Sequence, residues 1–241
     1  MERYMTEDNT EQQDRIKKGT LSRYTKWSYF LEWLEKSAIL IGDYAEWEDK
    51  SDVAILDAYV ERNKNIPIRV LCLFNSAGYF NDSYYHWKVY TDKNDGIRID
   101  FNKDKLLKAL GNMAIFKKVK YPATTAKALE KAYKSIGDLP FVKRASYESD
   151  EEFRLIFSGD KDTMKKGQLF EFKVKKDFFK DSIDGIRLGY SMSEEKFVEI
   201  KNILKKYGIE KNVCRSRIIK YERWENKVLK FVDSKNSNRG N

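Results

Sequence analysis

The chain reads as α+β: a single domain with a mixed, split or strongly bent β-sheet flanked by helices. Three observations carry that expectation. Strand-like and helix-like patterns are interleaved without strict alternation. The 241 residues, 41% hydrophobic and 14% aromatic, supply a sizeable core. Only three prolines and twelve glycines leave little material for long linkers. No internal repeat is present.

In chain order, residues 1–20 are polar and read as an N-terminal arm, followed by the domain over 21–232. Leu21–Tyr24 reads as a short strand. Thr25 offers a cap for a helix over 26–36, where Phe30, Leu31 and Leu34 form an apolar stripe. Ala38–Ile41 is a short apolar run closed by Gly42-Asp43. A second helix spans 51–62, with Ser51 or Asp52 as its cap and Ile55, Leu56, Tyr59 and Val60 facing inward. Ile66–Phe74 is the clearest buried strand, entered through Pro67 and left through Asn75-Ser76. Gly78–Tyr90 is dense in aromatics, Gly96–Phe101 is a strand, and Asn102 caps a helix through Leu110. Met113–Tyr121 is a further strand and 123–136 a helix. Phe141–Ala145 and Glu152–Phe157 suggest two strands around an acidic turn at 148–151. Gln168–Val174 and Ile183–Leu188 follow as strands. Ser191-x-x-Glu194 opens a helix carrying Phe197, Ile200, Ile203 and Leu204. Val213–Ile219 makes a last strand, and 233–241 reads as a disordered tail.

Lysine and arginine outnumber the acids 47 to 38, a net charge of +9. That balance favours nucleic acid, nucleotide phosphates or an acidic partner, although much of the lysine is interleaved with glutamate and aspartate as on a solvated surface. Cys72 and Cys214 lie far apart, no CxxC occurs, and His86 is the only histidine, which argues against a zinc site. The N-terminus lacks an apolar signal core and no run reaches the length of a membrane span. A cytoplasmic protein with reduced thiols and no membrane partner is expected.

The densest chemical signal is Tyr147–Gly159. From Glu152 the residues alternate, placing Phe153, Leu155 and Phe157 on a core face and Glu152 and Arg154 opposite, about 7 Å apart. In a cleft this pair is a binding or reactive site; on a surface strand it is a plain ion pair. Arg23 and Tyr24 with Glu152 and Arg154 have the makings of a nucleotide site. An arginine takes phosphate through its fork, a tyrosine stacks on a ring, and a carboxylate accepts from a ribose hydroxyl. Trp87 and Tyr90 share a helical face, as core aromatics do more often than ligand-binding ones. His86 has the chemistry of a general acid or base, though a lone histidine is more often structural. Glu171-Phe172-Lys173, with Asp160 and Asp162 upstream, matches the carboxylate–lysine pattern of magnesium-dependent nucleases. Lysine clusters at 117–120, 165–166, 173–176 and 205–206, with Arg215 and Arg217, would bind a phosphate backbone if they shared one face.

Several segments, taken in order over residues 20–220, resemble the bacterial and phage family termed domain of unknown function 2971. They are Arg23-Tyr24, Trp47-Glu48-Asp49, Phe74-Asn75-Ser76, Trp87 with Tyr90 and Gly96–Phe101. Asp150-x-Glu152-Phe153-Arg154 and Ile183-x-x-Ile186-x-x-Gly189 with the following helix complete the series. Two positions depart from the family pattern: Glu48 stands where asparagine is usual, with no proline after it, and Asp150 is the first acid of the E-x-E pair. The motif order is in turn similar to the ADP-ribosyltransferase plan. That likeness implies NAD as the nucleotide, Glu152 as the catalytic carboxylate, and Arg154 supporting it. It also implies Arg23 and Tyr24 on the nucleotide, Asn75 and Ser76 near the ribose, and Trp87 and Tyr90 lining the site. The implied activity is NAD-dependent ADP-ribosyl transfer or NAD hydrolysis in phage–host conflict, with a protein or nucleic acid as acceptor. A magnesium-dependent nuclease centred on Glu171 and Lys173, or a non-catalytic module binding through the aromatics of Tyr79–Tyr90, are the alternatives.

Overall fold

The computed structural model describes residues 19–75, 82–92, 94–216, 218 and 222–237. The chain runs β1 (Thr20–Lys26), α1 (Trp27–Lys36), β2 (Ala38–Ile41), α2 (Lys50–Arg62), β3 (Ile68–Asn75), α3 (Tyr84–Tyr90), β4 (Gly96–Asn102) and α4 (Lys103–Leu110). It continues with β5 (Ala114–Lys118), α5 (Ala126–Ala132), β6 (Glu152–Ser158), β7 (Phe170–Lys173), α6 (Phe178–Ser182), β8 (Ile183–Leu188), α7 (Glu194–Lys206), β9 (Val213–Arg215) and α8 (Glu222–Ser237). Short 3-10 turns at Ile136–Phe141 and Ala145–Asp150 lead into β6.

Seven strands form one mixed sheet in the order β5-β6-β3-β1-β4-β8-β9, antiparallel except for the β8–β9 pair; β2 and β7 form a separate antiparallel pair. The α+β fold expected from the interleaved patterns is therefore present, and the large sheet is split near its middle. β1 pairs with β4 along its whole length, from Thr20↔Asn102 to Lys26↔Gly96. With β3 it pairs only at Leu21↔Asn75 and Ser22↔Phe74. Beyond that point the Arg23 guanidinium takes over, donating from Nη1 to the Cys72 carbonyl at 2.9 Å. A side chain thus satisfies a β3 acceptor where no backbone ladder reaches it.

Strand alternation divides the two faces of the sheet. Leu21, Leu71, Leu73, Ile97, Ile99, Leu155, Phe157 and Ile186 enter the main core, beneath Phe30, Trp33 and Leu34 of α1, Leu106 of α4, Phe179 of α6 and Ile200 and Leu204 of α7. The opposite face of β3 and β6 is covered by Leu56 and Tyr59 of α2 with Phe141, packed on Ile68, Val70 and Ile156. Nearer the split, Trp87 of α3 packs on Tyr24 and Phe74. The face between these two covers holds a row of polar residues.

Several local expectations are corrected. Phe141–Ala145 is not a strand: a 3-10 turn containing Pro140 runs through Phe141, and only an isolated Lys120↔Val142 bridge forms. The helix expected over 123–136 is confined to α5, capped by the Thr125 side chain, because the chain leaves helical geometry at Tyr133. The strand expected at 113–121 shortens to β5; of the one expected at 213–219, β9 covers Val213–Arg215, and residues 217 and 219 lie outside the described residues. Asp49, rather than Ser51 or Asp52, caps α2, accepting from the amides of both. Ser193, not Ser191, caps α7, and Thr25 lies within β1. α8 extends to Ser237, so residues 233–237 of the expected disordered tail are helical. Among the described residues no helix is long and apolar enough to cross a membrane.

Candidate functional site

On the polar face of the sheet, Ser22 and Tyr24 of β1 and Phe74 and Asn75 of β3 line the floor of a cavity of about 400 Å³. One wall is Ser83 and His86 at the start of α3; the other is Glu148, Ser149, Asp150 and Glu151. The local sequence explains both walls. Ser83 caps α3 by accepting from the His86 amide, which sets the ring one turn inside the helix. On the other side, the 3-10 turn ends at Glu151 in the left-handed region, φ 46°. That unusual angle for a glutamate reverses the chain into β6 and buries Asp150 completely (0% exposed). The Asn75 amide donates to the Glu151 carbonyl at 3.2 Å, joining floor to wall.

His86 lies between two phenols, stacked on Tyr24 with centroids 5.2 Å apart and on Tyr90 at 5.9 Å. Its Nε2 is 3.3 Å from the Asp150 carbonyl. A carbonyl can only accept, so Nε2 carries the proton and Nδ1 presents a lone pair. Burial holds the ring below its ordinary pKa, which keeps it neutral. The Nδ1 atom is buried without a hydrogen-bond partner. Asp150 is left half-used in the same way. Its Oδ2 accepts from Lys143 Nζ at 3.0 Å and from the Tyr90 hydroxyl at 3.2 Å, while Oδ1 has no partner. Burial and then the Asp150 carboxylate, to which the Tyr85 phenol also hydrogen-bonds, push the Tyr85 pKa up.

Beneath Asp150 runs a second row of charges, and here the expected pair is found. Arg154 Nε donates to Glu152 Oε1 at 2.7 Å. The pair is neither a surface ion pair nor a cavity wall: Glu152 is 1% and Arg154 0% exposed, and neither lines the cavity. Arg154 Nη1 donates to Asp52 Oδ1 at 3.0 Å and to the Pro140 carbonyl at 2.9 Å; Nη2 donates to Asp52 Oδ2 at 2.5 Å and to Glu152 Oε2 at 3.4 Å. All five donors of the guanidinium are therefore engaged within the fold. Lys143 bridges the two rows, 3.3 Å from Glu152 Oε2, with its ammonium over the Tyr147 ring. Burial opposes ionisation of Glu152, but Arg154 and Lys143 outweigh it and hold the carboxyl at about 2. A third polar group underlies the floor: Ser22 Oγ donates to Asp100 Oδ1 at 2.5 Å, and Arg98 Nε donates to that same oxygen at 2.7 Å.

Of the residues expected to form the site, Tyr24 and Asn75 line the cavity and Tyr90 reaches it through Asp150. Trp87 stands behind Tyr24 with its indole N–H donated to Asp82. Arg23 is drawn into the sheet split. Ser76 lies outside the described residues, as do Tyr79 and Phe80. Ser22, Phe74, Lys143, Asp52 and the Arg98–Asp100 pair were not anticipated. The alternation of Ile97-Arg98-Ile99-Asp100-Phe101 signals a polar face on β4, but nothing in the sequence pairs Asp52 with Arg154. Glu171 accepts from Lys173 at 2.8 Å and from Lys36 at 3.0 Å on an exposed surface, whereas the Asp160 carboxylate caps its own turn at Asp162 and Thr163. Among the described residues no group of three or more histidine, cysteine or acidic side chains is placed to hold a metal ion.

No family model matches the chain, and no match to it is found among curated proteins.

Proposed function

We propose that the cavity binds NAD as a substrate and that the protein cleaves its N-glycosidic bond, by hydrolysis or by ADP-ribosyl transfer, with Asp150 as the catalytic carboxylate. The observation that carries this reading is Asp150, a fully buried residue of the cavity wall whose Oδ1 has no hydrogen-bond partner. A buried acceptor without a partner costs about 1–3 kcal/mol, which a ligand donor recovers. The bond between C1′ and the nicotinamide nitrogen breaks with its electron pair leaving on neutral nicotinamide, so positive charge gathers on the ribose. Asp150 Oδ1 accepts from a ribose hydroxyl and stabilises that charge. The neutral His86 takes the proton of the attacking water or acceptor hydroxyl on Nδ1 as the new C–O bond forms.

The resemblance assigned the carboxylate role to Glu152. The geometry favours Asp150, because Glu152 is held by two cations away from the cavity. The test is nicotinamide release from NAD by wild-type protein beside D150N and E152Q, with and without cell extract as a source of acceptor. Loss of turnover in D150N, with the variant still folded by circular dichroism, is the expected result. Wild-type protein that neither binds nor consumes NAD under either condition removes the proposal.

A further inference from the structure

The cavity carries a second message, about which part of such a substrate it reads; it rests on the proposal above. Two of the buried atoms with hydrogen-bonding capacity left over belong to lining residues, Asp150 Oδ1 and His86 Nδ1, and both are acceptors. Each belongs to a side chain more than nine-tenths buried, at 0% and 8% exposure. The lining adds the carboxylates of Glu148 and Glu151, and it contains no lysine or arginine. Two cations touch lining residues from behind: Lys143 is engaged by Asp150 and Glu152, and Arg98, 3.0 Å from the Ser22 hydroxyl and over the Tyr24 ring, is paired with Asp100. Arg23 and Arg154 are likewise directed into the fold. Such a lining suits a group that donates hydrogen bonds and carries positive charge, and it repels a pyrophosphate.

We propose that the cavity recognises the cationic N-ribosyl nucleoside end of its substrate, the ribose diol and pyridinium ring of a nicotinamide riboside, and leaves the phosphates outside. One hydroxyl of the diol donates to Asp150 Oδ1, and His86 Nδ1 is left to the attacking hydroxyl. The pyridinium ring places its charge among the carboxylates of Glu148, Asp150 and Glu151. On this reading the minimal ligand is the nucleoside without any phosphate, and the +9 charge of the chain serves the approach of the remainder of the dinucleotide rather than its seating.

The test is calorimetric titration of the full chain with NAD, nicotinamide riboside, nicotinic acid riboside and ADP-ribose. Nicotinamide riboside is expected to bind within about tenfold of NAD, and ADP-ribose at least about a hundredfold more weakly. Nicotinic acid riboside, whose extra carboxylate faces the acidic rim, is expected to fall between them. The exposed rim variant E148Q/E151Q, which leaves the buried network untouched, should weaken nicotinamide riboside and strengthen ADP-ribose, each by about threefold to tenfold. Binding of NAD and ADP-ribose with no binding of nicotinamide riboside overturns this inference and leaves the NAD proposal standing. Binding of nicotinamide riboside without NAD does the reverse.

Discussion

Arg154 shows why a charged residue inside a strand is hard to interpret from its neighbours alone. The alternation of Glu152-Phe153-Arg154-Leu155 places it correctly on the polar face, and its partner Glu152 is two residues away. Its bidentate partner, Asp52, is 102 residues distant, and no local pattern announces it. The same holds for Lys143, read as part of a strand but placed by a turn so that it neutralises two carboxylates. Asp150 was legible only as one acid of the E-x-E pair; its isolation inside a cavity follows from the left-handed Glu151, which spacing does not reveal. Two outcomes follow at this scale. Removing one charge from the buried row leaves the others uncompensated, so E152Q should lower stability by about 3–5 kcal/mol in urea denaturation. The sign of the pH dependence is also fixed. Glu152 has a folded pKa of about 2 against an ordinary value of 4.5, so its contribution is complete above about pH 4.5 and is lost as the pH falls toward 2. The fall in unfolding free energy measured across that window should be about 3 kcal/mol smaller in E152Q than in the wild type.

At the scale of elements, the buried strands and the capped helices were readable because their signals are local. Ile68–Asn75 and Gly96–Asn102 are runs of β-branched and apolar residues, and Asn102 caps α4 as its position before the apolar stripe implies. The segment from Ala114 to Asp150 was read too regularly, since Pro140 and the short 3-10 turns interrupt patterns that continue in hydrophobicity alone. α2 illustrates how two nearby acids do different work. Asp49 caps its N-terminus through the Ser51 and Asp52 amides, while the Asp52 side chain turns inward to Arg154. D49A should therefore cost about 1 kcal/mol, the usual value of a cap. D52N should cost several times more, because it removes the charge opposite a fully buried guanidinium. Thermal denaturation of the two variants side by side tests the distinction; equal losses would mean that α2 is not tied to the sheet through Asp52.

For the whole molecule, the fold class was legible because interleaved strands and helices with few glycines and prolines leave little choice of architecture. The polar row across the sheet was not, since it is assembled from β1, β3, β4 and β6 with partners on α2, α3 and two turns. Strand order has a consequence of its own. β1 is made first and lies at the centre, yet β3 waits for β6, as in the Phe74↔Glu152 pair, before its outer edge is closed. During synthesis Asp52 leaves the ribosome 102 residues ahead of Arg154, an interval of roughly 5–20 s at typical elongation rates. Throughout it α2 has no guanidinium to hold it, and the nascent chain carries an open strand edge and a loose amphipathic helix. Refolding limited by such distant pairings belongs in the range of about milliseconds to seconds. Stopped-flow tryptophan fluorescence should find it there, and a microsecond phase carrying the full amplitude would show that the sheet forms without waiting for β6. Until that strand arrives, the half-made protein is a natural client for a chaperone.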